Sequence, residues 1–197
     1  MVAVGPGSEE LRSRRLVLTR PTRHDVESIL VIHQDPLATW HNPSDQLGDL
    51  CEAEALFARW DQHWVSHGFG YWVIRRHGEQ AQLGFCGLKL MTLAGEPVMN
   101  LFYRLGPASW HQGLASEAAA VVVGWATTHR TDHRVVARVR PANVASHRVA
   151  LNAGLIRAPD LDGPGIDGFD CVYVSEPART DPPHADERTP RQPNISP

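Results

Sequence analysis

LFYRLGPASWHQGLASEAAAVVVGWA, residues 101–126, is the stretch that decides the fold. An apolar run ends at Leu105, a short loop follows, and Gln112-Gly113 opens a long helical pattern with an apolar stripe. The first N–H groups of a helix lack internal partners and carry partial positive charge, and a glycine lets a ligand approach the backbone. The stretch therefore predicts either an anion site suited to a pyrophosphate or a plain strand–loop–helix junction, and its residues alone leave both open.

The segments around this stretch alternate between strand and helix patterns. Strands are predicted at 15–20, 70–76, 83–91, 98–105, 134–139 and 171–174, and helices from a capping box at Thr22 and Asp25 to Pro36, across 47–64, at 114–129 and at 144–152. This order mixes hairpins with crossovers. It predicts a single α/β (α+β) domain with a mixed, mostly antiparallel central sheet flanked by helices.

A second segment, PANVASHRVALNAGL at 141–155, predicts a short helix that is capped by Asn143 and closed by Gly154. Together with WHQGLASEA at 110–118 and the opening RLVLTRPTRHD at 15–25, it resembles the GNAT acetyltransferase superfamily, specifically its Rim-type branch, named for the N-terminal acetylation of ribosomal proteins. The resemblance covers about residues 11–177, nearly the whole predicted core.

The resemblance implies an N-acetyltransferase that uses acetyl-CoA as co-substrate and an amine as acceptor. It places the CoA pyrophosphate on the backbone amides of one turn, the pantetheine along a strand edge, and the thioester beside the start of the second helix. The implied cofactor-binding residues are Gln112, Gly113, Leu114, Ala115 and Ser116 in the turn, Tyr103 and Leu105 at the edge, and Asn143 and Ser146 near the thioester. Ser146 and Asn143 are also the catalytic candidates. Because direct attack by the amine needs no protein nucleophile, no cysteine is nominated.

The sequence departs from the pattern of the family at three positions. Ala150 stands where many members have a tyrosine general acid, Asn100 where a carboxylate often serves as base, and His111 where glycine is frequent. Neither the acid nor the base is therefore assigned. Asn143 has a second reading as a plain helix cap, and a first-turn Glu117 is expected to serve structure by complementing the helix dipole.

Other residue groups suggest alternatives. His63 and His67 lie four apart near Asp61, but a third ligand at a recognised spacing is missing, so no metal is expected. Trp40 and either Tyr71 or Trp72 are candidates for lining the amine site. The main rival function is a CoA-binding or sensory module without catalysis; other nucleotide-binding domains rank lower because no GxxxxGK[ST] or GxGxxG occurs.

The overall composition limits the kinds of partner that the protein is expected to bind. The 197 residues carry a formal net charge of -3, which argues against nucleic acid, and no stretch is long enough to span a bilayer, so no membrane partner is expected and the cytoplasm is predicted. Three widely spaced cysteines favour buried free thiols. Residues 1–10 are predicted to be a flexible segment, 11–177 the domain and 178–197 a disordered tail rich in Pro and charge. The oligomeric state stays open, a homodimer included.

Overall fold

A computed structural model describes residues 9–176, which fold around one twisted sheet. The strands are β1 Glu10–Arg12, β2 Leu16–Thr19, β3 Tyr71–Arg76, β4 Gln82–Leu93, β5 Glu96–Leu105, β6 Arg134–Val139, β7 Ile156–Arg157, β8 Gly163–Gly165 and β9 Gly168–Val174. The α-helices are α1 Val26–Gln34, α2 Pro36–Thr39, α3 Leu50–His67, α4 Leu114–His129 and α5 Val144–Asn152. In the described part of the chain, no helix is both long and apolar enough to cross a membrane.

The strand order is β1-β2-β3-β4-β5-β6-β9-β7, with β8 paired to β9. Every pairing is antiparallel except that of β5 with β6. The predicted fold class, a mixed and mostly antiparallel sheet flanked by helices, is confirmed. The parallel pair arises because α4 carries the chain from the end of β5 back to the start of β6, as a crossover must.

Helices cover the sheet on both faces. On one face α4 and α5 bury an apolar cluster that includes Trp72, Leu88 and Trp125. On the other, α1 and α3 bury a second cluster around Trp60 and Phe85. Because side chains alternate along a strand, β3, β4 and β5 each contribute side chains to both clusters. Neighbouring residues of one strand can therefore lie on opposite faces of the sheet.

The domain boundaries predicted from the sequence fall partly outside the described residues. Glu10, which was assigned to the N-terminal segment, is the first residue of β1 and pairs with Thr19, so the sheet begins one residue before the predicted boundary. The predicted tail at 178–197 and residues 1–8 lie outside the described part of the chain.

Candidate active site

The turn that precedes α4 carries a row of outward N–H groups. Gly113 is the N-cap residue, with φ 73° and ψ 8°, a left-handed conformation that glycine adopts without strain. The first backbone bond of the helix runs from the Glu117 N–H to the Gly113 carbonyl at 3.1 Å, and no side chain caps the helix. The N–H groups before Glu117 therefore lack helical partners, and they lie at the positive end of the helix dipole.

Two arginines that sequence reasoning missed reach this turn. Arg15 Nη1 donates to the Gln112 carbonyl at 3.0 Å, and Arg76 Nη2 donates to Gln112 Oε1 at 2.5 Å. Arg76 comes from β3 and Arg15 comes from the segment that precedes β2. The sheet brings both residues beside the start of α4. The Arg76 guanidinium beside a row of amides strengthens the positive potential that a diphosphate would meet, whereas the charge of Arg15 is balanced by an ion pair with Glu117 and Arg15 adds hydrogen-bond donors.

Glu117 anchors the turn from inside the first turn of α4. Its carboxylate accepts bonds from Ser13 Oγ at 2.7 Å, from the Arg15 backbone N–H at 2.8 Å and from Arg15 Nε at 2.6 Å. Burial alone would raise the pKa of Glu117, but the hydrogen bonds from Ser13 and Arg15 outweigh it and lower the pKa. The carboxylate ties α4 to the segment that leads into β2, which is the structural duty expected from the sequence.

His111 has a backbone φ of 58°, in the left-handed region, at a position where glycine is frequent in the resembled family. A histidine there costs about 1 kcal/mol relative to an ordinary conformation. His111→Gly should leave the free energy of unfolding within about 0.5 kcal/mol, because relief of strain offsets the extra entropy of an unfolded glycine. His111→Val should lower it by about 1–2 kcal/mol, since a β-branched residue tolerates this φ poorly.

Chemical denaturation of the three proteins checks this prediction. If His111→Val unfolds at the same denaturant concentration as the parent, the turn does not hold a left-handed residue at this position.

The β5 and β6 strands separate along their length. Their parallel pairing joins Val98 to Arg134 and ends where Asn100 meets Val136, although β5 continues to Leu105 and β6 to Val139. Beyond Asn100 the edge of β5, which includes Tyr103 and Leu105, pairs with no strand on that side among residues 9–176. We call the unpaired region between the two strands the V-shaped opening, and Asn100, at its closed end, the vertex.

The start of α5 lies beside this opening. Asn143 Oδ1 accepts from the Ser146 N–H at 3.0 Å, so Asn143 is the helix cap that the sequence predicted as its plainer role. The phenol of Tyr103 donates to the Ser146 carbonyl at 3.0 Å, while Ala150 is fully buried. Burial raises the pKa of Tyr103, so its hydroxyl keeps its proton at neutral pH. Two hydroxyl groups, from Ser146 and Tyr103, therefore occupy the region where the sequence expected only one.

A cavity of about 320 Å³ opens on the other face of the sheet. Its wall is formed by His33, Ser44, Asp45, Leu47, Leu56, Arg59, Trp60, His63, Gly70, Tyr71, Leu88, Lys89 and Phe102. Phe102 faces this cavity while the next residue, Tyr103, faces α5, because successive side chains of a strand point to opposite faces. The sheet at β5 thus separates the cavity from the α5 region, and Asn100, at the vertex, pairs with Lys89, which lines the cavity.

The contact between the Tyr71 and Phe102 rings in the cavity wall depends on Gly87. Gly87 pairs with Tyr71 on one side and with Phe102 on the other. A Cβ at Gly87 would lie 2.3 Å from the Gly70 carbonyl oxygen and 2.8 Å from Tyr71 Cδ1, so any side chain here would displace the tyrosine. Without it, the Tyr71 and Phe102 rings lie 4.9 Å apart.

The two histidines of the cavity are neutral. His33 Nδ1 donates to the Ile29 carbonyl at 2.8 Å, and burial, with the charge of Arg104 second, lowers the pKa of His33 to about 4. His63 Nδ1 bonds the Phe69 carbonyl at 2.7 Å while Nε2 accepts from the Leu90 N–H at 3.2 Å, and burial lowers its pKa. Both His63 nitrogens are occupied by backbone, which leaves neither for a metal ion or for base catalysis.

The structure distinguishes the aromatic candidates for the amine site. Tyr71 lines the cavity, whereas Trp72 is fully buried against α4 on the other face. Trp40 is 74% exposed and does not line the cavity.

The prediction of three buried thiols is confirmed for Cys86, whereas Cys171 is only half-buried. It is wrong for Cys51, which is exposed because it lies two residues, about 200° of helical turn, from the buried Ala53.

Residues 15–156 match the family model described as "Acetyltransferase (GNAT) domain". The uncharacterized protein YkkB of Bacillus subtilis (strain 168) is 27% identical over 100 residues, which cover 50% of this chain and 58% of YkkB. The chain therefore matches little more than half the length of that relative.

Solved structures agree in fold. An acetyltransferase from Agrobacterium tumefaciens str. C58 superposes with a TM-score of 0.70 at 25% identity, covering 85% of this chain and 94% of that one. The ribosomal-protein-S5-alanine acetyltransferase from Vibrio fischeri superposes with a TM-score of 0.65 at 15% identity, covering 89% and 100%. At 15% identity, the second likeness shows the fold alone.

Proposed function

The chain belongs to the GNAT acetyltransferase family, and we propose that it moves the acetyl group of acetyl-CoA onto a primary amine by direct attack within a ternary complex. The observation that carries the proposal is the V-shaped opening between β5 and β6. It has an amide-lined, arginine-flanked turn on one side and a cavity on the other, so a thioester and an amine can approach one point from opposite faces.

The proposed CoA site follows the turn and the free edge of β5. The backbone amides of the turn, Gln112, Gly113, Leu114, Ala115 and Ser116, receive the pyrophosphate, together with the guanidinium groups of Arg15 and Arg76. The pantetheine pairs with the strand edge near Tyr103 and Leu105, as an added strand would. Asn143 holds the start of α5 in place beside it.

The proposed acetyl transfer requires few catalytic side chains. The amine nitrogen attacks the thioester carbonyl carbon, the C–S bond breaks, and the amine loses a proton while the departing thiolate gains one. The Ser146 hydroxyl is the proposed donor toward the sulfur, and the Tyr103 phenol, which donates to the Ser146 carbonyl, is proposed to position it. The cavity histidines are not proposed as the base, because His33 is too weakly basic and both His63 nitrogens are occupied. The attacking amine therefore enters in its neutral form.

The three thiols are not proposed as nucleophiles. Cys86 is buried and burial raises its pKa, which disfavours the reactive thiolate. Cys51 lies on the exposed side of α3, and neither it nor Cys171 lines the cavity.

The alternative is a CoA-binding module that has lost turnover, and the absence of an acid at Ala150 and of a carboxylate at Asn100 favours it. The test is thiol release from acetyl-CoA with a panel of peptides of varied first residue and small amines. Calorimetry of CoA binding accompanies it. We expect amine-dependent thiol release; tight CoA binding without release for any amine would establish the inactive module instead.

Membership of the Rim-type branch is proposed on the sequence motifs and action in the cytoplasm on the sequence composition, and the domain is proposed to extend from Glu10, the first residue of β1, to about residue 177. The fold likeness to a ribosomal-protein acetyltransferase is compatible with the branch assignment. A protein N-terminus and a small-molecule amine are both acceptors that the family uses.

A further inference from the structure

The charges that face the cavity are unbalanced. Arg59 of α3 and Lys89 of β4 line it, and neither forms an ion pair within the part of the chain that the structure describes. Lys89 is also the only lysine in the sequence. The one carboxylate of the wall is Asp45, and the two histidines of the wall, described above, are neutral.

The negative charge of Asp45 is already balanced by an ion pair with Arg104. Its Oδ2 lies 2.8 Å from Arg104 Nη2. Arg104 is only 7% exposed, its guanidinium lies 5.3 Å from the Phe102 ring centroid, and Nη1 has no hydrogen-bond partner within the described residues. Two cations, Arg59 and Lys89, and one carboxylate line the cavity, and because Arg104 already pairs with that carboxylate, two unpaired positive charges remain. An ammonium group would be repelled here and an anionic group attracted.

The strand register places Lys89 close to the vertex. Lys89 pairs directly with Asn100 across β4 and β5, and Asn100 forms the last pair of β5 with β6. Neighbouring strands lie about 4.8 Å apart, so the backbones of Lys89 and Asn100 are adjacent, and the flexible Lys89 side chain can hold an anion on the cavity side of the vertex. This adjacency fits an acceptor that carries its amine and its carboxylate close together.

The rest of the wall is apolar and aromatic. Leu47, Leu56, Trp60, Tyr71 and Phe102 surround the remaining volume, which is at the lower end of the range for small-molecule sites. This surface suits an apolar side chain of modest size.

We propose that the acceptor is an α-amino acid with an apolar or aromatic side chain, whose carboxylate is held by Lys89 and Arg59 while its amine faces the vertex. This inference rests on the proposed acetyl transfer and adds the class of the acceptor. It excludes polyamines, which would bring further positive charge into the cavity.

Three probes with the same aromatic body test it: L-phenylalanine, L-phenylalaninamide and 2-phenylethylamine. Initial rates give kcat/KM for each, corrected for the fraction of neutral amine. We expect phenylalanine to be favoured over both uncharged analogues by at least about tenfold, the scale of one hydrogen-bonded charge contact. Lys89→Met should reduce that preference about tenfold, and Arg59→Met should reduce it by a smaller factor. Arg148→Met, on the exposed side of α5 away from the cavity, is the matched control and should retain it.

The possible outcomes distinguish the proposed acceptor class from the proposed acetyl transfer. If 2-phenylethylamine, spermidine or a peptide with an N-terminal glutamate is acetylated better than phenylalanine, the acceptor class is wrong while the transfer function stands. An unchanged preference in Lys89→Met also overturns the acceptor class. If no amine is acetylated although CoA binds, the proposed function fails and the acceptor class fails with it.

Discussion

Gly113→Glu should weaken CoA binding about 100-fold or more. The substitution places a carboxylate on the turn whose free amides and neighbouring arginines are proposed to hold the pyrophosphate. Like charges brought together in a binding site cost several kcal/mol, and each 1.4 kcal/mol is about tenfold in affinity. Calorimetric titration of the purified variant with CoA measures the change.

Gly113→Ala is the matched control. It introduces the same strain at φ 73° without the charge, and its Cβ would lie 3.6 Å from Arg15 Nη2, which is ordinary contact. We expect a loss of about tenfold or less, together with a melting temperature lowered by a few degrees. If Gly113→Glu binds CoA as the parent does while its circular dichroism and melting curve show an intact fold, the pyrophosphate lies elsewhere.

Loss of the hydroxyl groups beside α5 should lower the maximal rate. Ser146→Ala is expected to cost about tenfold to a hundredfold in kcat, the usual scale for one hydrogen bond to developing charge. Tyr103→Phe should cost a smaller factor, because the phenol acts through its hydrogen bond to the Ser146 carbonyl and burial, which raises its pKa, makes it a weak acid. In both variants the KM for acetyl-CoA should change little, since the interaction is made mainly in the transition state.

Asn143→Asp serves as the comparison for these variants. An aspartate keeps an oxygen to accept the Ser146 N–H, so the helix cap survives, whereas Asn143→Ala would lose about 1 kcal/mol of stability. The expected result for Asn143→Asp is a raised KM for acetyl-CoA, because a negative charge beside the pantetheine disturbs positioning. If Ser146→Ala does not lower kcat under conditions where chemistry limits the rate, water is the proton donor and the Ser146 assignment is wrong.

The sequence predicted all the helices longer than four residues and all the strands longer than three residues that the structure describes. The bounds of α4, β6 and α5 agree with the prediction to the residue, whereas the longest helix, α3, is displaced by three residues at each end from the predicted 47–64. Four short elements, β1, α2, β7 and β8, were not predicted. Two to four residues carry no readable period, and the strands among them exist because a neighbouring strand offers hydrogen bonds, which is a tertiary property.

In the candidate site, too, local features were predicted from the sequence and long-range contacts were not. The glycine-opened turn and the cap at Asn143 are local, so motif spacing was enough to place them. Arg15 reaches Gln112 across 97 positions in sequence and Arg76 across 36, and no local pattern indicates such contacts. The choice between Tyr71 and Trp72 failed for another reason: the run YWVI is apolar throughout, so its alternation gave no sign of which residue faces the cavity.

The measurement that tests the central claim most directly follows an isotopically labelled acetyl group. The enzyme is mixed with labelled acetyl-CoA, with and without an amine acceptor, quenched within one turnover, and both the small molecules and the intact protein are weighed by mass spectrometry. The account predicts that the label moves to the amine only when acceptor is present, and that the protein carries no acetyl group at any time. A labelled protein side chain in the absence of acceptor, or CoA that binds while its label never reaches any amine, would contradict direct transfer.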